Sequence, residues 1–212
     1  MSHNFLLRLR SALATNNRPG VDAQLSMAHI GRRDLVEATE TSRRAAVMAL
    51  FYPREKTSDD LNLIFIRRSS HEPRDRHAGQ IGFPGGSVEP ADAHLQATAL
   101  RETYEEIGVD PGRVEVLGKM TDLFIPISNF LVTPFIGFTP SRPDYILQAS
   151  EVAELIEVPF SDFFRASARQ VSDRKIASGL RLKDVPYWQV GNVDIWGATA
   201  MMTSEIVALL DG

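Results

Sequence analysis

Cysteine is absent from the 212 residues, which excludes disulfides, thiolate metal sites and a cysteine nucleophile. Positive charge is not in excess either. The formal net charge is −4, so the chain carries no general basic footprint for nucleic acid, while a local basic channel for a polar substrate stays open. No run approaches the ~20 apolar residues of a membrane span. The opening MSHNFLLRLRSALA is too short in its apolar stretch, and too interrupted by Arg8 and Arg10, to read as a signal peptide. No internal repeat or low-complexity tract marks a solenoid or a linker. The expectation is a soluble, cytoplasmic protein with no membrane and no nucleic-acid partner, built as one domain with extensions.

What the chain does have is concentrated between Gly82 and Val109, GFPGGSVEPADAHLQATALRETYEEIGV. A glycine-rich turn carrying Glu89 and Asp92 leads into a helix containing Arg101, Glu102, Glu105 and Glu106. At about 3.6 residues per turn, Ala93, Ala97, Leu100, Tyr104 and Ile107 form an apolar stripe, and the three glutamates share a patch on the far side. Like charges at offsets of three and four cost roughly 0.2–0.5 kcal/mol per pair, and anions near a helix C-terminus oppose its dipole. Either the patch is a solvated acidic helix end, or a cation offsets it. A hard divalent metal fits the second reading, because it takes carboxylate oxygens and completes its shell with water and substrate phosphates.

The stretch from Arg101 to Val109, RExxEExGV, resembles the box of the Nudix hydrolases, with Thr103 where a larger aliphatic residue is usual. Its front half matches a box lengthened by one residue, with Gly86 as the glycine and Asp92 as the acid, in place of Ser87 and Ala93. That form is similar to the coenzyme A pyrophosphatase branch. In that branch a segment RSxxLRxHxGxxxFPGG precedes the box, and Arg68, Ser69, His77, Gly79, Phe83, Pro84, Gly85 and Gly86 match it. The internal arginine is displaced: Asp75 occupies its place, flanked by Arg74 and Arg76. Near the C-terminus, Ile195–Ala200 (IWGATA) resembles the branch's IWGxTA ending.

The resemblance implies an α/β (α+β) Nudix fold, a mixed β-sheet sandwiched between α-helices. Residues 1–40 would form an N-terminal helical extension and residues 41–212 the Nudix domain. The implied reaction is metal-dependent hydrolysis of the diphosphate bond of coenzyme A or acyl-coenzyme A, giving 3′,5′-ADP and 4′-phosphopantetheine or its acyl form. Mg2+ or Mn2+ would be held by Glu102 and Glu106, with Glu105 a further ligand or an orienter of the attacking water, and the backbone at Gly86 close enough to join them. Arg101 would steady the carboxylates through charge-assisted hydrogen bonds. A glutamate outside the box would assist the metal or activate water, Glu151 first and Glu154 second; the alternative for either is an exposed acid on the rim. Arg68, Arg74 and Arg76 would hold phosphate or belong to a solvated loop, and His77 would contact substrate or fix that loop. A homodimer is compatible with this reading. ADP-ribose, dinucleotides and nucleoside triphosphates are the rival substrates, and a nucleotide sensor without turnover is the rival class.

Elsewhere, Phe5, Leu6, Leu9 and Leu13 predict a packing helix over residues 4–14. Residues Arg44–Tyr52 and Leu61–Ile66 predict a hairpin, and Val114–Leu117 and Leu131–Phe138 further strands around a substrate-side loop, residues 122–130. Residues 161–186 read as a short helix and a variable loop. Gly191–Asn192 marks a tight hairpin, and an amphipathic helix runs through Leu210. His71 and His94 read as surface residues and Trp196 as a core residue.

Overall fold

The computed structural model describes residues 2–15, 18–32, 37–55, 60–69, 79–175 and 179–211. In chain order these form α1 (Ser2–Ala14), α2 (Gly20–Leu25), β1 (Arg43–Pro53), β2 (Leu61–Arg68), β3 (Ile81–Gly82), β4 (Gly85–Ser87) and α3 (Leu95–Ile107). Next come β5 (Glu115–Lys119), β6 (Leu123–Ile125), β7 (Phe130–Phe138) and β8 (Val152–Pro159). The chain closes with β9 (Arg169–Lys175), β10 (Arg181–Val190), β11 (Val193–Trp196) and α4 (Gly197–Ala208).

The central sheet has eight strands in the order β3-β2-β1-β7-β5, with β4 on β1, β6 on β7 and β8 on β2. It is mixed, since β1 pairs antiparallel with β2 and parallel with β7. β1 is buried on both faces, and successive side chains of a strand point oppositely. Ala45, Ala49 and Phe51 enter the larger core, with α1, α4 and the second sheet, while Ala46, Met48, Leu50 and Tyr52 enter a smaller core under α3. This two-sided burial is why the strand reads as a nearly continuous apolar run.

The predicted hairpin is present, with Phe51 opposite Leu63. The predicted strands at Val114–Leu117 and Leu131–Phe138 correspond to β5 and β7, and the Gly191–Asn192 turn joins β10 to β11. Four expectations need correction. Residues 161–186 hold a 3-10 turn, Phe160–Phe164, followed by β9 and the start of β10; β10 pairs with β9 on one side and with β11 on the other in a three-stranded sheet. The strand β9, RQVSDRK, is polar because it lies at the edge of that sheet, so no apolar alternation announces it. The loop 122–130 contains a short strand, β6, paired to the start of β7.

The final helix is not amphipathic: every residue from Thr199 to Val207 is buried. Its buried carboxylate, Glu205, accepts hydrogen bonds from the Thr121 hydroxyl at 2.6 Å and the Gln24 amide at 2.9 Å, which offsets removal from water. The fourth correction concerns α3. It begins at Leu95, and its buried residues are Thr98, Ala99, Thr103, Glu106 and Ile107, while Tyr104 is 56% exposed. The inner face is thus rotated from the predicted stripe towards small side chains, which let the helix approach β1 and β4 closely. Trp196 is half-buried. No helix among the described residues is long and apolar enough to cross a membrane.

Candidate active site

The turn before β4 is pinned from below. Phe83 is 4% exposed and stacks on Phe65 with ring centroids 4.9 Å apart, and the Met48 N–H donates to the Pro84 carbonyl at 2.8 Å. Burying a phenylalanine contributes about 1.5–3 kcal/mol, enough to hold a glycine pair that has no side chains of its own to pack. β4 then lies against α3, and each of its residues meets a box side chain. The Gly85 N–H donates to Glu106 Oε2 at 2.8 Å. A Cβ at Gly86 would stand 2.5 Å from the Glu102 carboxylate, so glycine alone leaves that space to the acid. The Ser87 carbonyl accepts from Arg101 at 3.0 Å.

Arg101 is held at the other end by Asp92, its Nε and Nη2 each 3.0 Å from one carboxylate oxygen. The fork depresses the Asp92 carboxyl well below the usual carboxylate range, and an N–H from Glu89 and the Thr98 hydroxyl add to the effect. Reciprocally, Asp92 raises the Arg101 pKa, keeping it a fixed cation. From this anchor Arg101 reaches Glu102 at 3.0 Å and Glu105 at 2.8 Å. His94, expected at the surface, is exposed and also caps α3, its Nδ1 accepting from the Ala97 N–H at 3.1 Å.

The three glutamates do not share one solvated patch. Glu106 is 1% exposed, Glu102 14% at its side chain, and Glu105 51%. Burial pushes the Glu106 carboxyl up to about 8, against the Gly85 N–H and Arg68, with Glu102 and Glu151 raising it further. Burial also raises Glu102, opposed by Arg101. Like-charge repulsion of ~0.2–0.5 kcal/mol along the helix is worth about a third of a pK unit, so desolvation is the dominant cause. Both carboxyls stay raised because desolvation outweighs the neighbouring Arg68 and Arg101 charges.

Glu151 reaches the same place by a different route. The Gln148 N–H donates to the Glu106 carbonyl at 2.9 Å and the Ile146 N–H to the Ile107 carbonyl at 3.0 Å, closing the C-terminus of α3. The Gln148 carbonyl accepts from the N–H of Glu151, and the Ser69 N–H donates to the Glu151 carbonyl at 2.7 Å. Glu154, the second candidate, points elsewhere and pairs with Arg67 at 2.8 Å. Glu157 lies further along β8, bound by Arg142, Tyr145 and Tyr52.

These groups line a cleft of about 560 Å³ that gathers Arg68, Arg101, Glu102, Glu105, Glu106 and Glu151. Glu89 of the glycine-rich turn also lines it, as do Ser87 and Ser150, which nothing in type or spacing marks as site residues in the sequence. Arg74, Arg76 and His77, with His71, lie outside the described residues. Arg68 Nη1 stands 3.8 Å from Glu106. Among the described residues no three acids or histidines are already closed into a metal cage, and Arg101 engages Glu102 and Glu105. The donor set nonetheless fits a hard divalent cation. It offers carboxylate oxygens one helical turn apart, a glycine whose missing Cβ leaves the carboxylate room, and a buried acid with a raised pKa that a cation would relieve.

Comparison with known proteins agrees with this geometry. Residues 42–177 match the family model described as NUDIX domain. The chain is similar to the uncharacterised Nudix hydrolase NudL of Enterobacter sp. (strain 638), 31% identical over 186 residues that cover 88% of this chain and 92% of the relative. It is 36% identical over 166 residues to NudL of Yersinia pestis (strain Pestoides F), covering 78% and 79%. Among solved structures, a MutT/nudix family protein from Enterococcus faecalis superposes with a TM-score of 0.55 at 15% identity, covering 90% of this chain and 73% of the other, a likeness of fold.

Proposed function

Since the chain belongs to the Nudix hydrolase family, whose members generally use divalent metal ions, we propose that it hydrolyses the diphosphate bond of coenzyme A or acyl-coenzyme A, releasing 3′,5′-ADP and 4′-phosphopantetheine or its acyl form. The observation that carries the reading is the cleft itself, where Arg68 and Ser69 of the segment before the box meet Glu102, Glu106 and Glu151. A second contact supports it: the Thr199 hydroxyl of the IWGATA ending donates to the Ile81 carbonyl at 2.9 Å, joining both branch-like segments.

Glu102 and Glu106 would hold the divalent cation, Mg2+ or Mn2+, with Glu105 and the backbone at Gly86 as further donors. When bound, such a cation neutralises the diphosphate and lowers the pKa of a coordinated water. Arg101, immobilised by Asp92 and Ser87, orients Glu102 and Glu105. Glu151 accepts a proton from the attacking water, from a backbone position fixed by Gln148 and Ser69. Arg68 binds a phosphate oxygen beside Glu106, where its charge keeps the anionic substrate from being repelled by the acids.

The test is product identification by mass after incubation with coenzyme A and Mg2+ or Mn2+. Formation of 3′,5′-ADP and 4′-phosphopantetheine is expected. Rapid turnover of ADP-ribose or a nucleoside triphosphate with none of coenzyme A would sink the substrate assignment and leave the diphosphatase chemistry standing.

A further inference from the structure

β4 acts as a ruler beside the cleft. Gly85 meets Glu106, Gly86 meets Glu102, and Ser87, two residues on and about 7 Å along the strand, meets Arg101 through its carbonyl. The Ser87 hydroxyl faces a different partner: Arg43 of β1 donates to it at 3.3 Å. Arg43 is exposed, and its guanidinium carbon lies 4.2 Å from the centre of the Phe130 ring. No carboxylate among the described residues pairs with this cation, although the neighbouring cleft is rich in acids.

The arrangement is built by tertiary contacts. Arg43 is the register partner of Phe130 in the parallel β1–β7 pair. Asn129, just before Phe130, adopts φ 53°, a left-handed conformation that persists where its surroundings over-determine it. Here the Ser42 hydroxyl donates to Asn129 Oδ1 at 3.0 Å, Asn129 Nδ2 donates to the Thr41 carbonyl at 3.2 Å, and the Arg43 N–H donates to the Asn129 carbonyl at 2.9 Å. The side chain that results is a guanidinium with its plane supported by an aromatic ring and donors to spare, a geometry suited to a phosphate dianion.

We propose that Arg43, steadied by Phe130 and Ser87, binds a phosphomonoester that the substrate carries on its nucleoside, outside the diphosphate bridge. This rests on the coenzyme A reading, since coenzyme A bears such a group on the ribose next to its diphosphate. Ser87 lines the cleft and its hydroxyl accepts from Arg43, which sets the guanidinium beside the acids that would handle the diphosphate. Arg43 then sets specificity: a nucleoside diphosphate compound without the extra phosphate uses the same acids and forgoes this contact.

The experiment compares kcat and KM of the wild type, Arg43→Ala and Arg43→Lys on coenzyme A and on dephospho-coenzyme A, which lacks only that phosphate. A hydrogen-bonded charge contact predicts that Arg43→Ala lowers kcat/KM on coenzyme A about 10- to 100-fold more than on dephospho-coenzyme A, through KM, with partial recovery in Arg43→Lys. Equal losses on the two substrates, as stacking on the base would give, or no loss on coenzyme A, overturn the subsite and leave the diphosphatase reading intact. If the wild type turns over neither compound, the coenzyme A reading fails, and calorimetric binding of 3′,5′-ADP against 5′-AMP decides the subsite alone. A wild-type preference for 3′,5′-ADP that Arg43→Ala removes supports it, and equal affinities overturn it.

Discussion

Gly85 and Gly86 are neighbours on one strand, and replacing each by alanine separates stability from activity. At Gly85 the added Cβ would stand 2.5 Å from Val47 Cα and closer still to the Ala46 carbonyl oxygen, and the residue's φ is +154°. Both obstacles are backbone. Overpacking costs about 1–3 kcal/mol and a sparsely populated φ another 1–3 kcal/mol, so Gly85→Ala is expected to destabilise by roughly 2–6 kcal/mol. For a chain of this size that lowers Tm by roughly 5–20 °C.

At Gly86 the added Cβ would meet only the far end of the Glu102 side chain, at 2.5 Å. The carboxylate can retreat by about 1 Å to an ordinary contact, with a stability change within about 1 kcal/mol. A displacement of that size in a catalytic constellation is worth about 100-fold in rate, so Gly86→Ala is expected to keep its Tm and lose about that much kcat. Thermal melts of the metal-free variants, with turnover of coenzyme A under saturating Mg2+, give both readouts. A Gly86→Ala protein that melts as early as Gly85→Ala, or that retains full kcat, refutes the argument.

Glu106→Gln should reduce kcat at least about 100-fold, more than loss of an outer-shell metal partner costs, with a metal-free Tm that holds or rises because a desolvated carboxylate is removed while Gly85 keeps an acceptor; a clear fall in Tm contradicts this. Glu151→Gln should cost about 10²–10⁴-fold in kcat at nearly unchanged KM, as for loss of a general base, and an effect confined to KM would reassign it to substrate binding. Asp92 has its folded pKa depressed by Arg101, so its stabilising contribution is complete above its ordinary pKa of about 3.9 and is lost as pH falls below that value. Denaturant midpoints at pH 5 and pH 3 should therefore separate further in the wild type than in Asp92→Asn, and equal separations would show that the pair does not contribute.

Much of the site is legible in the chain because it depends on local spacing. Glu102 and Glu106 lie one turn apart on any helix, and Gly85 and Gly86 announce a close approach before a partner is known. The orientation of α3 is not legible. Polarity assigns Tyr104 to the core and Glu106 to water, whereas the structure exposes Tyr104 and buries Glu106. The reason lies in Ala99 and Thr103, small enough for the helix to press on β4, where the Gly85 N–H needs an acceptor. Strand β9 stayed hidden for a related reason: its pairing with β10 comes from backbone hydrogen bonds that charged side chains do not reveal.

By itself, then, the sequence determined the central strands, the helix with its row of acids, the glycine turn and the family chemistry they share, since each follows from residues close together in the chain. Tertiary structure alone decided which acids are buried and that Asp92 anchors Arg101. It also brought Glu151 to the cleft while Glu154 turned to Arg67, and set Arg43 on Phe130. These depend on which surfaces the sheet brings within hydrogen-bond reach, and burial and the field of neighbouring charges exist only once distant segments have met.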